Sequence, residues 1–131
     1  MVMEKRKILV VDDQQELAEM VKFSLESTDQ YEVKIETKGR KALEAAKACR
    51  PDLILLDMKM PDLNGFEVMY QLEADPDMKN VPVVFLTGAL TKDGPTADPD
   101  TDDSMIGRYP YLVKPSSTED LIACIEKYLR K

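Results

Sequence analysis

Five residues of types that handle phosphate or metal stand directly after short apolar runs. Asp12 and Asp13 follow Ile8-Leu9-Val10-Val11, and Asp57 follows Leu53-Ile54-Leu55-Leu56. Thr87 follows the run 81–86, and Lys114 follows the run 109–113. Singly, each has an ordinary reading, since a strand-end carboxylate is solvated or caps a helix. Together they specify a chemistry. Three carboxylates in one crevice repel by roughly 4 kcal/mol per pair at about 4 Å and an effective dielectric near 20. A hard divalent cation removes that penalty, and Mg²⁺ (or a cation such as Mn²⁺) suits one or two carboxylates with phosphate oxygens and water. Lys114 adds a point positive charge and Thr87 a hydroxyl, which suits a phosphoryl group whose equatorial oxygens need neutralising. Asp57 is then left as the nucleophile, because aspartyl phosphate is an established type of covalent intermediate.

The elements that must position these residues follow from the apolar pattern. Short continuous apolar runs bounded by turn signals read as strands buried on both faces. They fall at 7–11, 53–57, 81–86 and 109–113, whereas 31–36 alternates Val33 and Ile35 with polar residues and reads as a strand nearer the sheet edge. Between them lie helical patterns. Leu17, Met20, Val21 and Leu25 mark the first, with Asp13 as its carboxylate cap and Glu16 three residues on. Ala42, Ala45, Ala46 and Cys49 mark the second, and Phe66, Met69 and Leu72 the third. Leu121, Cys124, Ile125, Tyr128 and Leu129 mark the last, behind a capping box at Ser116-Ser117-Thr118-Glu119. Alternating strands and helices predict an α/β domain: a doubly wound, five-stranded parallel sheet with helices on both faces. In the order 2-1-3-4-5, strands one and three are neighbours at the topological switch point, so Asp12, Asp13 and Asp57 meet in one crevice.

The segment 91–104 breaks the pattern. It holds Asp93, Asp98, Asp100, Asp102 and Asp103 together with Pro95 and Pro99. Prolines remove backbone donors, and little apolar surface is available to bury. An acidic loop is expected there, with the fourth helix short or irregular. Met105, Ile106 and a turn at Gly107 would pin its far end to the sheet. Asp98, Asp100 and Asp102 do not make a calcium loop, because Asp103 stands where the sharp turn needs glycine and Tyr109 where the bidentate glutamate belongs.

Composition excludes several classes. A chain of 131 residues suits one domain, 1–131, with a single core. Net charge is −7, which argues against nucleic-acid binding through a basic surface. No apolar run approaches the ~20 residues of a membrane span, and 8–11 is too short for a signal peptide's apolar region. The expected location is cytoplasmic. There is no histidine, so any histidine in the chemistry comes from a partner. Cys49 and Cys124 have no zinc-site spacing. The expected crossovers put them on opposite faces of the sheet, so no disulfide is expected between them.

The motifs Ile8-Leu9-Val10-Val11-Asp12-Asp13, Asp52-Leu53-Ile54-Leu55-Leu56-Asp57-x-x-Met60-Pro61-x-x-x-Gly65, Thr87-Gly88 and Tyr111-Leu112-Val113-Lys114-Pro115 resemble a receiver domain of a two-component response regulator, of the chemotaxis-regulator type. The resemblance covers essentially the whole chain and implies a flavodoxin-like fold. It implies that Asp57 is the phosphoacceptor, Asp12 and Asp13 the metal-binding pair, Thr87 the hydroxyl that follows the phosphoryl group, and Lys114 its charge partner. Tyr111 would be the aromatic switch residue, Lys59 would lend the metal its backbone carbonyl, and Lys114-Pro115 would be cis. The implied partner is a sensor histidine kinase or histidine phosphotransfer protein that donates from phosphohistidine. An output partner is implied too, with the domain itself a monomer or weak homodimer. Lys59 stands where the family often has asparagine, and 91–104 is longer than the family pattern. Two other readings compete. A haloacid-dehalogenase-type phosphatase would need an aspartate two residues after the nucleophile, where Lys59 stands. A receiver-like module that is never phosphorylated would normally have lost one of the five site residues, and all are present.

Overall fold

The computed structural model describes residues 5–58, 60–87, 105–106, 109–113 and 117–129, with 87, 105–106 and 109–113 described in backbone only. The expectations for Lys59, the 91–104 segment, Lys114 and the Lys114-Pro115 peptide bond lie outside these residues.

Strand β1 (Arg6–Val11) leads to helix α1 (Gln15–Glu26), then β2 (Tyr31–Glu36). A 3-10 turn (Gly39–Lys41) opens into α2 (Ala42–Cys49), followed by β3 (Leu53–Asp57), α3 (Gly65–Ala74) and β4 (Val83–Thr87). The chain closes with β5 (Met105–Ile106), β6 (Tyr109–Val113) and α4 (Thr118–Leu129). The sheet order is β2-β1-β3-β4-β6-β5. Its first five strands are parallel in the expected 2-1-3-4-5 order. One addition extends it: β5 pairs antiparallel, Met105 with Pro110 and Ile106 with Tyr109, at the outer edge of β6. Met105 and Ile106 thus join the sheet, as expected for the far end of the acidic segment.

The alternation of strand side chains divides the core in two. Leu9, Val11, Ile54, Leu56, Val83 and Phe85 pack against Ala42 and Ala46 of α2 and Val68, Met69 and Leu72 of α3. Ile8, Val10, Leu53, Leu55, Val84 and Leu86 pack against Ala18 and Leu25 of α1 and Leu121 and Ile125 of α4. Every residue of β3 is buried, which is why its sequence is a continuous apolar run.

Three helix assignments differ from the sequence reading. On α1 the buried stripe is Ala18 and Leu25 with Val21 beside them, and Met20 is 59% exposed. Ala18 carries the contact because a small residue lets the helix sit close to the sheet. On α3, Phe66 lies toward solvent, with its ring 5.2 Å from that of Phe85. On α4 the cap is Ser117, whose Oγ accepts from the Asp120 N–H at 3.0 Å, so the box starts one residue later than the pattern suggests.

Candidate functional site

The parallel register delivers the site residues to one edge of the sheet. Val11 lies opposite Leu56, Asp57 opposite Leu86, and Thr87 opposite Val113. Asp12 and Asp57 therefore leave neighbouring central strands at the same height, at the carboxyl end where open α/β sheets bind ligands. Asp12 is 1% exposed, Asp57 is 4% exposed, and Asp13 faces solvent. One carboxylate oxygen from each of the three lies within 4.8 Å of the others. The chemistry of this donor set fits a hard divalent cation: three oxygens from carboxylates that otherwise repel, one of them open to water.

Local bonding fixes the Asp12 carboxylate and the backbone that follows Asp57. The Asp12 N–H donates to the Glu36 carbonyl at 3.0 Å, extending the ladder one residue past β1. Asp12 Oδ1 then accepts from the Gln14 N–H at 2.9 Å, turning the chain toward α1. This corrects the expectation that Asp13 caps α1. Its N-cap is Gln14, with no side-chain cap bond, and the carboxylate that shapes the turn is Asp12. Beyond Asp57, the Met58 N–H donates to the Leu86 carbonyl at 3.1 Å, and the Gly65 N–H donates to the Met58 carbonyl at 2.8 Å. Asn64 caps α3 by accepting from the Glu67 N–H at 3.0 Å.

The backbone of Thr87 ends β4 at the same edge as Asp57, and Tyr111 lies in β6 opposite Phe85.

One residue near the site escaped the sequence reading. Asp62 accepts from the Gly39 N–H at 3.1 Å and the Arg40 N–H at 3.0 Å, with the Arg40 guanidinium 3.6 Å away. The Arg40 N–H bond, ahead of the Gly39 bond and the nearby charge, holds the Asp62 carboxyl below the usual carboxylate range. The signal for it is thin: an aspartate among turn residues 23 positions from its partner.

The family model described as "Response regulator receiver domain" matches residues 8–126. The response regulator ArlR of Staphylococcus saprophyticus subsp. saprophyticus is 36% identical over 129 residues, covering 95% of this chain and 53% of that protein. The DNA-binding response regulator MtrA of Mycolicibacterium paratuberculosis is 35% identical over 131 residues, covering 97% of this chain and 52% of its own length. The chain thus spans about half the length of the curated relatives it matches. Among solved structures, the Vibrio cholerae chemotaxis protein CheY4 superposes with a TM-score of 0.77 at 30% identity, covering 95% of this chain and 98% of that one. Among the described residues, no helix is long and apolar enough to cross a membrane.

Proposed function

The chain belongs to the response regulator receiver domain family, the phosphoacceptor module of two-component signalling, and on that premise we propose that Asp57 is the phosphoacceptor of a histidine-to-aspartate relay. The observation that carries this reading is the clustering of the Asp12, Asp13 and Asp57 oxygens within 4.8 Å at the carboxyl ends of adjacent central strands.

In the transfer, an Asp57 carboxylate oxygen attacks phosphorus on the partner's phosphohistidine. An O–P bond forms, the N–P bond breaks, and the imidazole leaves. A water later cleaves the acyl phosphate, releasing inorganic phosphate and restoring the carboxylate. Mg²⁺ or Mn²⁺, when bound, neutralises charge on the phosphoryl oxygens. Asp12 and Asp13 would hold it with Asp57 and the backbone carbonyl of residue 59. Asp12 is pre-set by the Gln14 N–H, and Asp57 is held at the end of a fully buried strand. Lys114 balances the charge that arrives with the phosphoryl group, and Thr87 donates to one of its oxygens. Thr87 and Tyr111 form the switch that reports the change to an output partner.

The donor is a sensor histidine kinase or histidine phosphotransfer protein in the cytoplasm, since the chain has no histidine of its own. With a net charge of −7, this domain does not itself bind nucleic acid, and it acts as a monomer or weak homodimer. Incubation with Mg²⁺ and acetyl phosphate should add one base-labile phosphoryl group by mass. Asp57→Ala should take none, and full labelling of that variant would sink the assignment.

A further inference from the structure

The loop between β3 and α3 leaves directly from Asp57, whose carboxylate belongs to the three-aspartate cluster. It is tied at two points. Its ends close on each other through the Gly65 N–H and the Met58 carbonyl, 2.8 Å apart. Its middle is tied to a different part of the fold. Asp62 Oδ1 and Oδ2 accept from the N–H groups of Gly39 and Arg40, the first residues of the turn that opens into α2. Approach is close here as well: a Cβ on Gly39 would meet the Leu63 Cβ and carbonyl oxygen at 3.0 Å. The Asp62 side chain is 22% exposed, so these are partly desolvated, charge-assisted bonds.

We propose that Asp62 is a positioning residue for the metal-dependent chemistry at Asp57, holding the loop that leaves the phosphoacceptor strand against the β2–α2 corner. The inference rests on the phosphoacceptor reading for the site it serves. A carboxylate 23 and 22 residues from its two partners does more than cap a helix: it joins the loop leaving the phosphoacceptor strand to a neighbouring crossover. Outer groups of this kind orient metal ligands, and their loss typically weakens metal binding 10- to 100-fold.

The test compares Mg²⁺ affinity, by calorimetry, and acetyl phosphate labelling in four variants of the whole chain. Asp62→Ala removes both bonds. Asp62→Asn keeps an acceptor oxygen for one of them. Arg40→Ala removes the ion pair but leaves the Arg40 N–H. Ala46→Gly loosens α2 without touching the loop. The expected result is Mg²⁺ affinity about tenfold weaker in Asp62→Ala, intermediate in Asp62→Asn, and unchanged in Arg40→Ala and Ala46→Gly. Labelling by Asp62→Ala should need more Mg²⁺ yet approach the wild-type rate when Mg²⁺ saturates. Wild-type Mg²⁺ affinity in Asp62→Ala, or a shift no larger than that of Ala46→Gly, would overturn the proposal. If the wild-type chain binds Mg²⁺ but takes no phosphoryl group, the phosphoacceptor reading fails, while the Mg²⁺ comparison still decides the role of Asp62.

Discussion

A Cβ on Gly65 would lie 2.8 Å from the carbonyl oxygen of Asp57 and 2.8 Å from the Met58 Cα. The first residue of α3 is therefore seated on the backbone of the proposed phosphoacceptor, with no space for a methyl group. Both opposing atoms are main-chain, so no side-chain rotation relieves the clash. Gly65→Ala should cost about 1–3 kcal/mol of stability, the usual range for overpacking. It should also slow labelling, because relief requires the Asp57 end of β3 or the start of α3 to move. A lower urea midpoint at an unchanged denaturant slope, together with a slower acetyl phosphate reaction, would bear this out. A variant equal to the wild type in both would not.

The three clustered carboxylates predict a stability effect of opposite sign with and without metal. Asp13 is exposed and the N-cap of α1 is Gln14, so Asp13→Ala removes no cap bond. Without divalent cations it removes a like-charge repulsion from Asp12 and Asp57. Solvent screening at an exposed group limits the gain to about 1 kcal/mol or less. With saturating Mg²⁺ the variant should lose a ligand and become the less stable of the two, because binding to the native state adds stability. Denaturant midpoints measured in a chelator and in Mg²⁺ should cross over. Parallel midpoints in the two conditions would contradict the cluster.

Acid should loosen α2 first. Asp62 is tied to the turn ahead of it, and Asp75 pairs with Lys47 on it at 3.2 Å. Both carboxyls sit below their usual value, Asp62 chiefly through the Arg40 N–H and Asp75 chiefly through the Asp77 N–H. A carboxyl whose folded pKa is lowered contributes stability that is complete above the unfolded value, roughly 3.9. That contribution is lost as pH falls through the folded pKa. Amide exchange in α2, referenced to the buried strand β3, should accelerate below about pH 4. In Asp62→Asn this acid dependence should flatten, and an unaltered profile would assign the effect elsewhere.

What the sequence makes legible follows from how each feature is encoded. The buried strands are plain because a parallel strand covered on both faces must be apolar throughout, as β3 is. Asp12, Asp13 and Asp57 follow from that, since the residue after such a strand emerges at the ligand-binding edge. Helix faces are less legible. Met20 fits the α1 stripe by spacing as well as Ala18 does, and only the close approach of helix to sheet selects the alanine. Caps slip by one residue, as Ser116 and Ser117 show, because adjacent serines are chemically equivalent until the helix start is known. Asp62 is illegible for a different reason. Its partners are backbone N–H groups of Gly39 and Arg40, and backbone donors leave no mark in a residue pattern.

The two cysteines should remain reduced and unreactive. Cys49 packs with the core on the α2–α3 face of the sheet and Cys124 with the core on the α1–α4 face, and both are free. A disulfide needs Cα atoms within about 7 Å, and a buried sheet stands between these two. Burial is the leading cause that raises both thiols above their ordinary value, outweighing the lowering effect of Lys7 and Lys34 on Cys49 and of Lys127 on Cys124. A raised thiol pKa leaves less thiolate near neutral pH, and the thiolate is the nucleophile. Titration with an aromatic disulfide reagent at pH 7.5 should therefore be slow in the native protein. In urea it should reach the full count of two thiols, since the sequence has two cysteines. Mild oxidation should leave that count unchanged. Loss of both thiols from a folded monomer would mean that the two faces are not where the sheet places them.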